Sequence, residues 1–218
     1  MKKQYFTEEN IKPKAKEMFE KVKKYREYHD IEFLPGKSAL LVIDMQKYFI
    51  ETASHAYVPS AEAILPGVKK LISVYSGKNL PVIFTLHSNN EENAGMMKRW
   101  WPKLIGEGTV ESHLPEELEL YDGIRIEKHQ YDAFYDTNLE EILNKKNISQ
   151  LVICGVMTNI CCETTARSAF VRGFEVFFCV DGTATYSEEH HMATLTNLSY
   201  GFAIPVLLEE LFSTLSRK

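Results

Sequence analysis

This sequence predicts a doubly wound α/β fold, with a mainly parallel sheet covered by helices on both faces. Two observations carry that expectation. From Ser38 onward, short apolar runs alternate with amphipathic stretches. Most of the runs are continuous rather than alternating in polarity, as strands buried on both faces require. Strand–helix alternation of this kind gives parallel strands joined by right-handed crossovers. The 218 residues, 44% of them hydrophobic, suffice for one larger domain with a single core.

Taken in order, residues 1–36 form a charged N-terminal extension ahead of a domain over 37–218. The extension reads as one helix over 8–28, closed by Pro35-Gly36. Its lysines (Lys12, Lys14, Lys16, Lys21, Lys23, Lys24) interleave with Glu17, Glu20 and Glu27, the pattern of a solvated helix face. Strands are expected at 39–43, 82–86, 124–126, 151–154, 176–180 and 203–207. Helical patterns fall at 61–78, 137–146, 159–172, 188–199 and 207–216. One stretch, 87–122, breaks the rhythm and contains Trp100 and Trp101. A long excursion of this kind is a lid or binding loop, or else a surface insertion with its own aromatic cluster.

Composition excludes several classes of function. The net charge is −5 and the pI about 5.8, with no long basic run, so nucleic acid is not an expected partner. No apolar run approaches the roughly 20 residues that cross a bilayer. The charged start lacks the apolar core of a signal peptide, so a cytoplasmic location is expected. Cys154, Cys161, Cys162 and Cys179 show no C-x-x-C spacing and read as free thiols in a reduced compartment. The histidines make no H-x-x-x-H or H-E-x-x-H pattern, and no glycine-rich phosphate motif occurs, so neither metal nor cofactor is expected.

Open α/β sheets carry their sites at the carboxyl ends of the strands. Asp44, His87 and Asp181 end apolar runs, Lys128 follows one, and Cys161 lies in the turn and early helix after the fourth. A thiol in a first helical turn faces free backbone N–H groups and the positive end of the helix dipole, which favours the thiolate. A lysine nearby acts in the same direction. The alternative is a buried structural cysteine. Cys162 points elsewhere on the helix and packs. Asp44 is a candidate proton acceptor for the thiol, or a cap on the following turn. Lys128 is a candidate partner for both, or a loop lysine on the surface.

Three motifs carry a resemblance. They are Leu41-Val42-Ile43-Asp44-Met45-Gln46, then Lys128-His129-Gln130-Tyr131-Asp132-Ala133-Phe134, then Gly155-Val156-Met157-Thr158-Asn159-Ile160-Cys161. With Asp181-Gly182-Thr183-Ala184-Thr185, they make the chain similar to the isochorismatase-like cysteine hydrolases from about Ser38 onward. The resemblance implies a three-layer, Rossmann-like fold with six strands. It implies a triad of Asp44, Lys128 and Cys161, and a cis peptide between Val156 and Met157. The N–H groups of Met157 and Cys161 would form the oxyanion hole. The implied reaction is cleavage of the C–N bond of a small amide or N-carbamoyl compound through a thioester. Relatives that cleave a vinyl ether carry glycine where Cys161 stands; their reaction is the alternative, beside a silent redox or binding role. Nicotinamidases in this family hold a metal through D-x-H, where this chain has Leu86-His87-Ser88-Asn89-Asn90. Phe49, Trp100, Trp101, Tyr131 and Phe134 are the expected pocket walls. A small-molecule substrate and a homodimer or homotetramer are the expected partners.

Overall fold

The computed structural model describes residues 2–217. Six strands, β1 (Ser38–Ile43), β2 (Val82–His87), β3 (Ile124–Lys128), β4 (Gln150–Val156), β5 (Glu175–Ala184) and β6 (Ile204–Val206), form one sheet in the order β3-β2-β1-β4-β5-β6. Every pairing is parallel. β1 and β4 are buried at every position, including the polar Ser38 and Gln150 that open them, as strands covered on both faces are. β3 lies at an edge and alternates between buried and exposed residues.

The main helices are α1 (Ile11–Arg26), α2 (Ala61–Gly77), α3 (Leu139–Lys145), α4 (Glu163–Val171), α5 (Glu188–Gly201) and α6 (Leu208–Ser216). Helix α1 starts later than 8. Thr7 and Asn10 exchange hydrogen bonds between side chain and backbone, and this turn holds the chain out of the helix until Ile11. The helix lays Ala15, Met18, Phe19 and Val22 against α5, β5 and β6, so the extension shares the core of the domain. No helix among the described residues is long and apolar enough to cross a membrane.

The 87–122 segment contains one-turn helices at Met97–Trp100 and Glu116–Glu119 and a 3-10 turn at Val110–Ser112. Ala94, Met97, Ile105, Leu114 and Leu118 anchor it in the interior. Asp181 lies within β5, away from the crevice. Its carboxylate accepts the Leu208 N–H and so holds the start of α6.

At Gly155 the φ angle is +117°, and a β-carbon there would stand 2.1 Å from the Ile43 carbonyl oxygen. Only glycine lets β4 approach β1 at this point. Gly155→Ala should therefore cost about 3 kcal/mol or more, read as a lowered urea midpoint with an unchanged slope.

Burial raises the Asp181 carboxyl to about 6, against donation from the Leu208 amide, which lowers it. The folded state then holds a proton that the unfolded chain releases near pH 4. Unfolding free energy should fall as pH rises from about 4 to 6. Asp181→Asn should flatten that part of a pH series of urea titrations.

Candidate active site

Strand order reverses between β1 and β4, which opens a crevice at their carboxyl ends. Asp44 is the first residue beyond β1 and takes a left-handed turn with φ of 48°. Its N–H donates to the Thr85 hydroxyl oxygen at 3.1 Å, and that hydroxyl donates to Asp44 Oδ1 at 2.6 Å. Gln46 ties the ends of two strands together. Its amide nitrogen donates to the carbonyls of His87 (2.8 Å) and Ser112 (2.7 Å), and its oxygen accepts the His87 N–H. The 87–122 segment is thereby pinned to the end of β1.

Lys128 ends β3, in register with His87 on β2. Two strand spacings, roughly 10 Å, separate β3 from β1, so only a long side chain spans them. Its ammonium lies 2.8 Å from Asp44 Oδ2 and 2.9 Å from the Gln130 carbonyl. Neither side chain of the pair has any exposure. Burial alone would lower the Lys128 pKa, but the Asp44 carboxylate beside it, with the hydrogen bonds to Asp44 and Cys161, outweighs it and holds the pKa above its usual value. His87 Nδ1 lies 3.4 Å from Lys128 Nζ, while Nε2 lies 3.0 Å from Asn89 Oδ1, an acceptor. This assigns the ring proton to Nε2. Burial first, and the Lys128 charge second, push His87 down to about 4, so the ring is neutral at pH 7.

Cys161 Sγ lies 3.5 Å from Lys128 Nζ. It occupies a π-helical turn, Thr158–Cys162, ahead of α4 rather than the first turn of an α-helix. Burial pushes the thiol well up; Lys128 lowers it, but the Asp44 carboxylate against it raises it again. The resting proton therefore sits on sulfur, next to a carboxylate. Cys162 is fully buried and all four cysteines are free.

Above Cys161 lies a cavity of about 250 Å³. Phe49, Trp101 and Tyr131 line it, and Trp101 Nε1 donates to the Tyr131 hydroxyl at 2.8 Å. Two expected walls lie elsewhere. Trp100 is 72% exposed, because neighbouring residues on a helical turn point apart. Phe134 is buried in the core, stacked on Phe174 at 5.8 Å, with the Arg172 guanidinium against its ring. Reading the sequence missed Tyr48, His55 and Tyr186, and also Lys2, which reaches the cavity from the N-terminal arm. Lys2 sits over the Tyr186 ring at 4.6 Å and donates to the His55 carbonyl. Thr85 and Gln46 were missed as well, although both lie within or beside the strand-end motifs. Among the described residues, no three His, Cys, Asp or Glu side chains are grouped to hold a metal ion.

Lys128→Met leaves Asp44 buried without its counter-charge. The variant should lose about 3–5 kcal/mol of stability, measured by urea unfolding at pH 7. A loss under 1 kcal/mol would mean the pair is not buried as described.

The family description that matches, isochorismatase domain, covers residues 38–210. Nicotinamidase 3 of Arabidopsis thaliana is 41% identical over 179 residues, 80% of this chain and 86% of that protein. The isochorismatase of Bacillus subtilis (strain 168) is 29% identical over 184 residues, 83% of this chain and 59% of that protein. A cysteine hydrolase from Pseudomonas syringae pv. phaseolicola 1448A superposes with a TM-score of 0.80 at 25% identity, covering 84% of this chain and 94% of that one. N-carbamoylsarcosine amidase from Thermoplasma acidophilum gives 0.71 at 28% identity, covering 79% and 97%.

Proposed function

Since this chain belongs to the isochorismatase family of hydrolases, we propose that it cleaves the C–N bond of a small amide or ureido compound, with Cys161 as nucleophile. The observation that carries the reading is the buried Asp44–Lys128 pair at 2.8 Å with the Cys161 thiol 3.5 Å from the ammonium, at the base of a cavity. A buried carboxylate–ammonium pair with a buried thiol at the ammonium has a large desolvation cost, which a packing role does not require.

The steps follow from the resting protonation. Asp44 takes the Cys161 proton as sulfur bonds to the carbonyl carbon. The oxygen gains negative charge, and the N–H groups of Met157 and Cys161 are its donors. Lys128 holds the two negative centres together and keeps the carboxylate ionised between proton transfers. Asp44 returns the proton to the leaving nitrogen, the C–N bond breaks, and ammonia or an amine departs from a thioester. Water then attacks the thioester with Asp44 as base, which frees the acid and restores the thiol.

The flat aromatic walls Phe49, Trp101 and Tyr131 suit a small planar substrate. Nicotinamide belongs on the panel because of the 41% identical relative, and N-carbamoyl amino acids because of the solved amidase. A cytoplasmic location and a homodimer or homotetramer complete the proposal; a monomer in light scattering would overturn the assembly.

The test is ammonia release across such a panel, with intact mass recorded in parallel. One substrate should give an acyl adduct on Cys161. Cys161→Ala should retain its fold and lose turnover by at least about 10³-fold. Robust hydrolysis by Cys161→Ala would sink the proposal, and vinyl-ether cleavage that survives the substitution would replace it.

A further inference from the structure

The segment ahead of residue 38 lies outside the family match, yet it reaches the loop that carries the nucleophile. Backbone bonds seat the arm: the Tyr5 and Phe6 N–H groups both donate to Ser60 Oγ, and the Lys3 N–H donates to the Tyr186 carbonyl. The Tyr5 side chain then enters the interior and is 4% exposed. Its hydroxyl lies 3.0 Å from His191 Nδ1 and accepts the Thr185 N–H at 3.1 Å. The same His191 Nδ1 lies 3.0 Å from the Thr158 hydroxyl.

His191 has no exposure, and burial pushes it down to about 3, so the ring is neutral at working pH. Its Nε2 faces the Val180 carbonyl without forming a well-aligned hydrogen bond. With the ring proton there, Nδ1 is an acceptor shared by the two hydroxyls. Phe6 packs edge-on against the same ring at 5.5 Å, which fixes its tilt. Thr158 opens the π-helical turn, and Cys161 is its fourth residue. Thr185, the residue whose N–H meets Tyr5, also holds the next loop residue, because its hydroxyl donates to Asn159 Oδ1 at 2.5 Å.

We propose that Tyr5 is a positioning residue for the nucleophile, acting through His191 on Thr158 and through Thr185 on Asn159. The proposal rests on Cys161 being that nucleophile. A buried hydroxyl that makes two well-formed bonds is costly to leave unpaired, so each bond holds the loop to one geometry. The arm then sets where Sγ stands relative to Asp44 and Lys128, although no described arm residue is hydrogen-bonded or ion-paired to those groups. A displacement of even 1 Å in such a site is worth up to about a hundredfold in rate.

Tyr5→Phe removes the hydroxyl and keeps the ring. Two readouts separate positioning from packing. The first is the rate of Cys161 alkylation by iodoacetamide, followed by intact mass with the site mapped, which needs no substrate. The second is kcat and KM for ammonia release. Both the alkylation rate and kcat should fall about tenfold or more, with KM within twofold. Thr158→Val should do the same, Thr158→Ser should restore most of the loss, and the double variant Tyr5→Phe/Thr158→Val should be no worse than the worse single. If Tyr5→Phe does not fold, the Thr158→Val and Thr158→Ser pair carries the test alone. A lowered melting temperature with alkylation and kcat unchanged would overturn the proposal, as would additive losses in the double variant. Wild-type protein that alkylates at Cys161 but releases ammonia from nothing would count against the amidohydrolase reading and leave the alkylation comparison valid.

Discussion

The interior of this protein holds an ammonium, and much of the architecture around the crevice answers to that fact. An isolated cation in such a place costs several kcal/mol. Lys128 stays charged because Asp44 lies 2.8 Å away and the Gln130 carbonyl 2.9 Å away. Asp44 in turn needs Thr85 for one oxygen, and Gln46 locks the strand end on which Asp44 is mounted. The His87 ring beside the ammonium is kept neutral, so it adds no second charge. Sulfur completes the set at 3.5 Å. Each member is tolerated in the interior only because the others are there.

Topology explains why these residues come from so far apart in sequence. Placing β1 between β2 and β4 puts Asp44 at the reversal point, next to the turn that carries Cys161. β3 lies two strands away, and the length of lysine makes up the distance. An arginine or a shorter amine on β3 would not deliver a compact charge to the same spot. The close contact of β1 with β4, which only Gly155 permits, brings the two halves of the site together.

Much of this was legible in the sequence. Continuous apolar runs announced buried parallel strands, and asking which polar residues end or follow them gave Asp44, His87, Lys128, Cys161 and Asp181, of which the first four meet at the crevice and Asp181 does not. What the sequence concealed has physical reasons. The protonation of Cys161 depends on a balance between burial, one cation and one anion, and no local motif reports that balance. Trp100 and Trp101 are adjacent and chemically alike, and only the direction of a one-turn helix sends one to solvent and the other to the cavity. Phe134 closes the lysine motif but turns into the core beside Phe174. The arm was invisible as part of the site because Lys2 and Tyr5 lie more than 150 residues from Cys161 and belong to no motif. β5 was the least well bounded strand, since it continues past its apolar run through Asp181, Gly182 and Thr183 to Ala184, and β3 likewise continues into the charged Glu127 and Lys128, which no apolar run could mark.

The central claim is that a carboxylate in contact with a protonated thiol makes that thiol reactive at the moment of attack. Single-turnover intact-mass measurement on Asp44→Asn, with a substrate identified on the wild-type protein, tests it most directly. The account predicts that the variant folds, binds substrate and forms no acyl adduct on Cys161 over the time in which the wild type is fully acylated. An adduct that forms at the wild-type rate would contradict it, because the thiol would then have lost its proton without Asp44.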